Sequence, residues 1–386
     1  MKLSLFKEKS PPVNFSYFPN ISNNRSKIIE IVKKNPNNPL FITDTSIIKN
    51  RLRHIPKSIK VAYSFKTNYD IAKNFTFSMI EVVSKYELDM ALKQNYSYSS
   101  IIFNGPHKGN LHHLLSKPLI INIDNFTELD SLLKYPKNIK SKIGIRVNST
   151  LNPSHFGFNI ESGEAQNAIS LLQLKQLPLS GLHVHIGGDI HSPKTYQKYS
   201  ICLKNFINQK NFPLDSLEYI DFGGGYPSHS ITSGTNTQFL PDIEKYLDSI
   251  ILPLKPILNS KVNLIIEPGR YLVDDSTILI SKIVDSKLIN NIQTITLNST
   301  INMLPSAWYH QLIIKGYHQN FIPSKFHSPI NTKIYGCSCQ ESDLLYQGKI
   351  PFLLKPNDYL IFYCVGAYNQ SQSSNFIFPN PKSFFI

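Results

Sequence analysis

The stretch Val61-Ala62-Tyr63-Ser64-Phe65-Lys66-Thr67-Asn68 decides how the rest of the chain is read. Apolar or aromatic residues at 61, 63 and 65 alternate with small or polar ones, the pattern of a half-buried strand, and a lysine closes it. A lysine at a strand end ordinarily keeps its ammonium in water while its stem covers apolar surface. The alternative is a nucleophilic amine, which loses its proton more easily when desolvated and condenses with carbonyls. Its surroundings have to decide between the two.

Outward from this strand, short apolar runs recur at 61–65, 81–84, 101–104, 119–123, 142–147, 181–186, 219–222 and 264–267, with helix-compatible stretches between them. Strands alternating with helices imply a parallel sheet. Eight such units within roughly 250 residues predict a (β/α)8 TIM-like barrel over residues 38–275, although an open doubly wound sheet accommodates the same count. After residue 275 the texture changes to strand-like runs at 277–284, 293–297 and 359–363. Residues 276–386 are therefore expected to form a mostly β second domain, joined by residues 1–37, which show little periodicity and room for one strand.

The chain has 386 residues, 41% of them hydrophobic, enough for one large core or two moderate ones. Its 40 Lys and Arg exceed its 26 Asp and Glu, a formal charge of +14, but the positive residues are scattered without a run of five. That favours small anionic ligands over a nucleic-acid partner. Four cysteines, at 202, 337, 339 and 364, are few for this length and fit a reducing, cytoplasmic setting. Charges interrupt the amino-terminal apolar residues, and no apolar run approaches the roughly 20 residues of a membrane span, so neither a signal peptide nor a membrane partner is expected.

In a barrel, functional groups gather at the carboxyl ends of the strands. The seventh run leads into Gly223-Gly224-Gly225, where the lack of Cβ atoms lets backbone N–H groups converge on an anion; a tight turn is the simpler explanation. The eighth leads into Glu267-Pro268-Gly269-Arg270, an acid and a phosphate-binding guanidinium, or merely an ion pair. The sixth carries His183 and His185, two apart and so on one face. A zinc site lacks a third ligand at a persuasive spacing, so no metal is expected, and a histidine stacked on an aromatic cofactor explains the placement better.

Taken together, these motifs resemble the alanine-racemase-fold (fold type III) pyridoxal-phosphate decarboxylases, a family that includes the ornithine, diaminopimelate and carboxynorspermidine decarboxylases. The resemblance implies that Lys66 is the Schiff-base lysine, that His185 stacks on the pyridine ring, and that Glu267 partners its nitrogen. It implies a phosphate cradle of Gly223, Gly224, Gly225, Gly269 and Arg270, with Arg146 close to the cofactor. Gly336-Cys337-Ser338-Cys339-Gln340-Glu341-Ser342-Asp343 is similar to an element whose cysteine, here Cys339, crosses a dimer interface to donate a proton. Gly366-Ala367-Tyr368 is similar to the element whose tyrosine touches the phosphate. A homodimer with shared active sites follows from the resemblance.

The departures from the family pattern concern the substrate. Where the ornithine and diaminopimelate enzymes place an acid directly after the cysteine, this chain has Gln340, with Glu341 one position off and Asp343 beyond. A second family acid is replaced within 297–300, at Ser299. Losing both removes charge-assisted contacts to a distal ammonium, each on the order of 1.5 to 3 kcal/mol. Leu304-Pro305-Ser306-Ala307-Trp308-Tyr309-His310 is similar to an element of the siderophore-biosynthesis branch, which implicates Trp308 and His310 and a polyanionic, citrylated diamino acid such as citryl-ornithine or citryl-diaminopropionate. The alternatives are a free diamino acid or polyamine precursor, an amino-acid racemase, or a non-catalytic regulatory homologue. Gly188 also stands where many relatives carry serine.

Overall fold

The computed structural model describes residues 18–134, 138–228, 242–258, 261–309, 312–325 and 327–386. All eight runs counted above are parallel strands: β1 (Ile59–Ser64), β2 (Met79–Val82), β3 (Ile101–Phe103), β4 (Ile120–Ile123), β5 (Lys142–Asn148), β6 (Gly181–Val184), β7 (Tyr219–Asp221) and β8 (Asn263–Ile266). Each pairs with the next in the chain, and β8 pairs with β1, Leu264 opposite Ile59, so the sheet closes into a barrel and the open-sheet alternative falls away. A two-residue strand, Phe158–Asn159, hangs from the end of β5.

Period-two alternation sorts each strand's residues between the surrounding helices and the barrel interior. Ala62, Ile102, Tyr219 and Ile265 pack together as a small apolar floor inside the barrel. Two residues further along come Ser64, Glu81, Asn104, Asn122, Arg146, His183, Asp221 and Glu267, one from each strand or the residue just past it and all buried. The barrel is therefore apolar at its base and polar toward its carboxyl mouth.

The second sheet runs in the order Ile313–Tyr317, Tyr359–Tyr363, Thr277–Ile289, Ile292–Leu297, Ile330–Tyr335, Leu344–Ile350. Separate apolar cores cover its two sides. Leu40–Thr43, which a barrel starting at residue 38 would include, pairs instead with Thr277–Ile280 and with Lys382–Phe385. Its four residues are all buried, and an unbroken apolar run looks the same in either sheet. Among the described residues of the amino-terminal segment, 18–37, there is a helix, Arg25–Lys34, and no strand. Ile28 and Val32, one turn apart, bury against the second sheet and outweigh the polar residues around them.

Candidate active site

Lys66 sits in a 3-10 turn, Phe65–Thr67, immediately after β1. Two contacts from the second domain's carboxy-terminal segment pin that turn: Tyr368 N–H donates to Thr67 O at 2.8 Å, and Asn68 Nδ2 donates to Gly366 O at 2.8 Å. Lys66 Nζ lies 2.6 Å from Glu81 Oε2 and 2.8 Å from Ser64 Oγ, and Ser64 Oγ itself donates to the same carboxylate oxygen. Burial works against the ammonium, but the Glu81 carboxylate and, further off, Glu267 outweigh it and hold the lysine above its ordinary value. The depressed lysine expected of a nucleophilic amine is thus not found, because a buried carboxylate pairs with it. In the sequence Glu81 stands only as part of an apolar run; an acid on the inward face of a buried strand was the available signal.

Around Lys66 the other strand ends converge. Gly224 N–H donates to His185 Nδ1 at 3.3 Å, which leaves the imidazole proton on Nε2. Burial, then the positive charges of Arg146 and Lys66, push His185 down to about 3, so it is neutral at ordinary pH. Arg146 bonds Asp124 Oδ1 at 3.2 Å, and Asp124 N–H donates to Glu128, the partner of the buried Lys108. Its guanidinium also lies 4.6 Å from the Phe156 ring centroid. Arg270 bonds Asp274 at 3.1 Å and lies 5.5 Å from the Tyr368 ring centroid.

Glu267 lies beneath this ring of groups. Asn104 Nδ2 donates to its Oε1 at 2.6 Å, and His183 Nε2 lies 3.6 Å from its Oε2. Burial alone would push Glu267 up, but His183, Asp221 and Lys66 bring it down to about 2. Asp221 moves the opposite way, raised by burial and by Glu267, so of the two acids Asp221 keeps the proton. One ligand atom each from His183, Asp221 and Glu267 lie within 4.8 Å of one another. A protonated Asp221 suits a hydrogen-bonded cluster better than a cation site.

The residues fit pyridoxal phosphate. Gly223 and Gly225 have φ of +57° and +95°, and a Cβ on Gly223 would lie 2.6 Å from Val184 O and 2.9 Å from His185 Nδ1. A Cβ on Gly224 would approach Glu267 O at 2.7 Å. This loop admits only glycine and lies against His185 and Glu267, beside the site where Arg270 and Tyr368 meet. A neutral imidazole, an ionised buried carboxylate and an anion cradle next to an amine are the groups a phosphorylated pyridine aldehyde requires.

The substrate residues anticipated from the sequence are distributed differently. Cys339, Gln340 and Glu341 are exposed, and among the described residues none of them hydrogen-bonds to the barrel. Gln340 Oε1 receives only a long contact from Asn302 Nδ2 at 3.5 Å. Asp343, expected to face substrate, is buried and accepts from Ile301 N–H at 2.7 Å and Ser338 N–H at 2.9 Å, so it shapes the Cys339 loop. Ser299 is also buried, with Ser281 Oγ donating to it at 2.8 Å, which removes it from substrate contact. Trp308 is 57% exposed, and His310 lies outside the described residues. All four cysteines are free thiols. Among the described residues no helix is long and apolar enough to cross a membrane.

Comparisons with known proteins agree with this geometry. Residues 47–274 match the family model for the pyridoxal-binding domain of pyridoxal-dependent decarboxylases. The diaminopimelate decarboxylase of Buchnera aphidicola subsp. Acyrthosiphon pisum is 27% identical, over 92% of this chain and 89% of its own length. That of Methanocaldococcus jannaschii is 24% identical, over 83% and 77%. In fold, the chain is similar to Vibrio vulnificus lysine/ornithine decarboxylase complexed with cadaverine, with a TM-score of 0.79 at 17% identity, covering 94% of this chain and 98% of that one. It is also similar to Helicobacter pylori diaminopimelate decarboxylase complexed with L-lysine, with a TM-score of 0.77 at 21% identity, covering 90% and 91%. The chain belongs to the pyridoxal-dependent decarboxylases, with a pyridoxal-phosphate-binding barrel and a mostly β second domain.

Proposed function

We propose that the protein removes a carboxylate from a free diamino acid, with diaminopimelate the first candidate. The observation that carries this is its similarity to curated diaminopimelate decarboxylases along nearly the whole chain. The residue at 340 departs from the acid of the diaminopimelate and ornithine enzymes alike, so it bears only on the choice between free diamino acids. A neutral glutamine cannot compensate a bare distal ammonium, as in ornithine or lysine, but it can bond a distal amino-carboxylate whose charges cancel. The citrylated substrate expected from 304–310 is displaced to second place, since these relatives are diaminopimelate enzymes.

Pyridoxal phosphate supplies an electron sink for the pair released when the bond to the departing CO2 breaks. Lys66 would hold the cofactor's aldehyde carbon, and Glu81 orients the amine and keeps it protonated. His185 would cover one ring face and Glu267 the ring nitrogen, while the 223–225 loop, Gly269, Arg270 and Tyr368 would hold the phosphate. Cys339, exposed on its own subunit, would return a proton to the substrate carbon in a partner's barrel, which makes a homodimer the working unit. CO2 release from meso-diaminopimelate, ornithine, lysine and citryl-ornithine tests the reading. Diaminopimelate is expected to lead by at least tenfold in kcat/KM, and a citryl conjugate leading instead would restore the siderophore reading.

A further inference from the structure

Below the cofactor groups, a line of side chains crosses the barrel interior. Tyr219 Oη donates to Asn122 Oδ1 at 2.8 Å, Asn122 Nδ2 donates to Asn104 Oδ1 at 2.8 Å, and Asn104 Nδ2 donates to Glu267 Oε1 at 2.6 Å. All four residues are buried, on β7, on β4, just past β3 and just past β8. We propose that Tyr219, Asn122 and Asn104 form a directed relay that, alongside His183, Asp221 and Lys66, supports Glu267 as a carboxylate and so strengthens the chain's grip on the ring nitrogen of its cofactor. This rests on the reading of Glu267 as the ring partner.

The direction of the relay is forced from one end. An ionised Glu267 can only accept, so Asn104 must turn its NH2 toward it and its carbonyl toward Asn122. Asn122 then has only its own carbonyl left for Tyr219, and a phenol donates to it. Every dipole points its positive end at the carboxylate, and in a low-dielectric interior such chains polarise one another. The Asn104 amide also reaches Glu81 Oε1 at 3.4 Å, so one side chain contacts both the carboxylate that pairs with Lys66 and the one assigned to the ring.

The barrel is built around this line. A Cβ on Gly144 would collide with Asn122 Oδ1 and the Tyr219 hydroxyl, and a Cβ on Gly181 with the Tyr219 ring. Two neighbouring strands thus give up side chains where the tyrosine crosses the interior. A tyrosine needed only for packing could be a phenylalanine, and buried asparagines are costly unless each finds its partners.

The relay is tested by cofactor affinity. Cofactor-free full-length protein is titrated with pyridoxal phosphate and with its 1-deaza analogue, in which the ring nitrogen is a C–H. Asn104→Leu is expected to weaken pyridoxal phosphate binding about tenfold or more, the worth of one charge-assisted hydrogen bond. Tyr219→Phe, which keeps the ring volume, is expected to weaken it less but in the same sense. Tyr219→Phe, which touches neither Glu81 nor Lys66, should leave the analogue's affinity within about twofold, and Asn104→Leu, which also loses the Glu81 contact, should weaken pyridoxal phosphate by several times more than the analogue. With a 15N-labelled ring, the bound nitrogen's shift should move toward the free base in both variants. Equal weakening of both ligands, or no weakening of either, overturns the relay. Glu267→Gln separates the two failures: if it too treats both ligands alike, the reading of Glu267 is what fails.

Discussion

Lys66 Nζ and Glu81 Oε2 stand 2.6 Å apart, the amine on the turn after β1 and the carboxylate at the end of β2. A buried acid holding a nucleophilic lysine as its ammonium means that the amine has to give up a proton before it can react. Tyr368 and Glu267 act in the same direction as Glu81 and raise the lysine's pKa further.

Glu81→Gln should therefore move the loading of cofactor to lower pH. Removing the largest partner that raises the lysine lets more of the amine be neutral at pH 7.5, and each tenfold gain in the reactive form corresponds to about 1.4 kcal/mol less stabilisation of the ammonium. Stopped-flow absorbance after mixing cofactor-free protein with pyridoxal phosphate measures the rate across pH. An unchanged profile would show that Glu81 only positions the lysine.

At Gly188 nothing lies within 4 Å of where a Cβ would stand, and its φ is outside the left-handed region. Gly188→Ser should be accommodated and add a hydroxyl near the anion cradle, tightening pyridoxal phosphate by roughly tenfold, as one hydrogen bond to a charged group allows. Equilibrium titration compares the two proteins, and equal affinities would count against this.

His185, at about 3 in the fold, takes a proton far more readily once unfolded. Its folded value is depressed, so the unfolded state binds more protons below about pH 6.5, and stability is lost as pH falls through that range. At pH 5 this costs about 2 kcal/mol relative to pH 7. Denaturant melts of the cofactor-free protein at both pH values should show a smaller loss in His185→Gln than in the parent.

Asp343→Ala should act on stability rather than on substrate affinity alone. It leaves a buried N–H donor, that of Ile301, and a half-buried one, that of Ser338, without their acceptor, at a cost of about 1–3 kcal/mol. A thermal melt that does not move would make Asp343 a substrate contact again.

Much of the site was legible because its residues end strands. Lys66, His185, Glu267 and the 223–225 glycines each follow a recognisable apolar run, and the barrel places every such end on one rim. Asp343 and Ser299 were misread because burial inside a sheet leaves no trace in a local motif. Glu81, Asn104, Asn122 and Asp221 were overlooked for the opposite reason: each is a single polar residue within or at the end of an apolar run, and its partner lies 15 to 163 residues away.

By itself, then, the sequence determined the eight-strand count, the amine at the end of the first strand, and the glycine loop after the seventh, since these depend on periodicity and local backbone chemistry. Only the tertiary structure decided that Glu81 keeps the amine protonated, that Asp221 rather than Glu267 carries a proton, and that Tyr219 reaches Glu267 through two asparagines. Those outcomes depend on distances across a closed barrel and on exclusion of water from its interior, which exist only once the last strand pairs with the first.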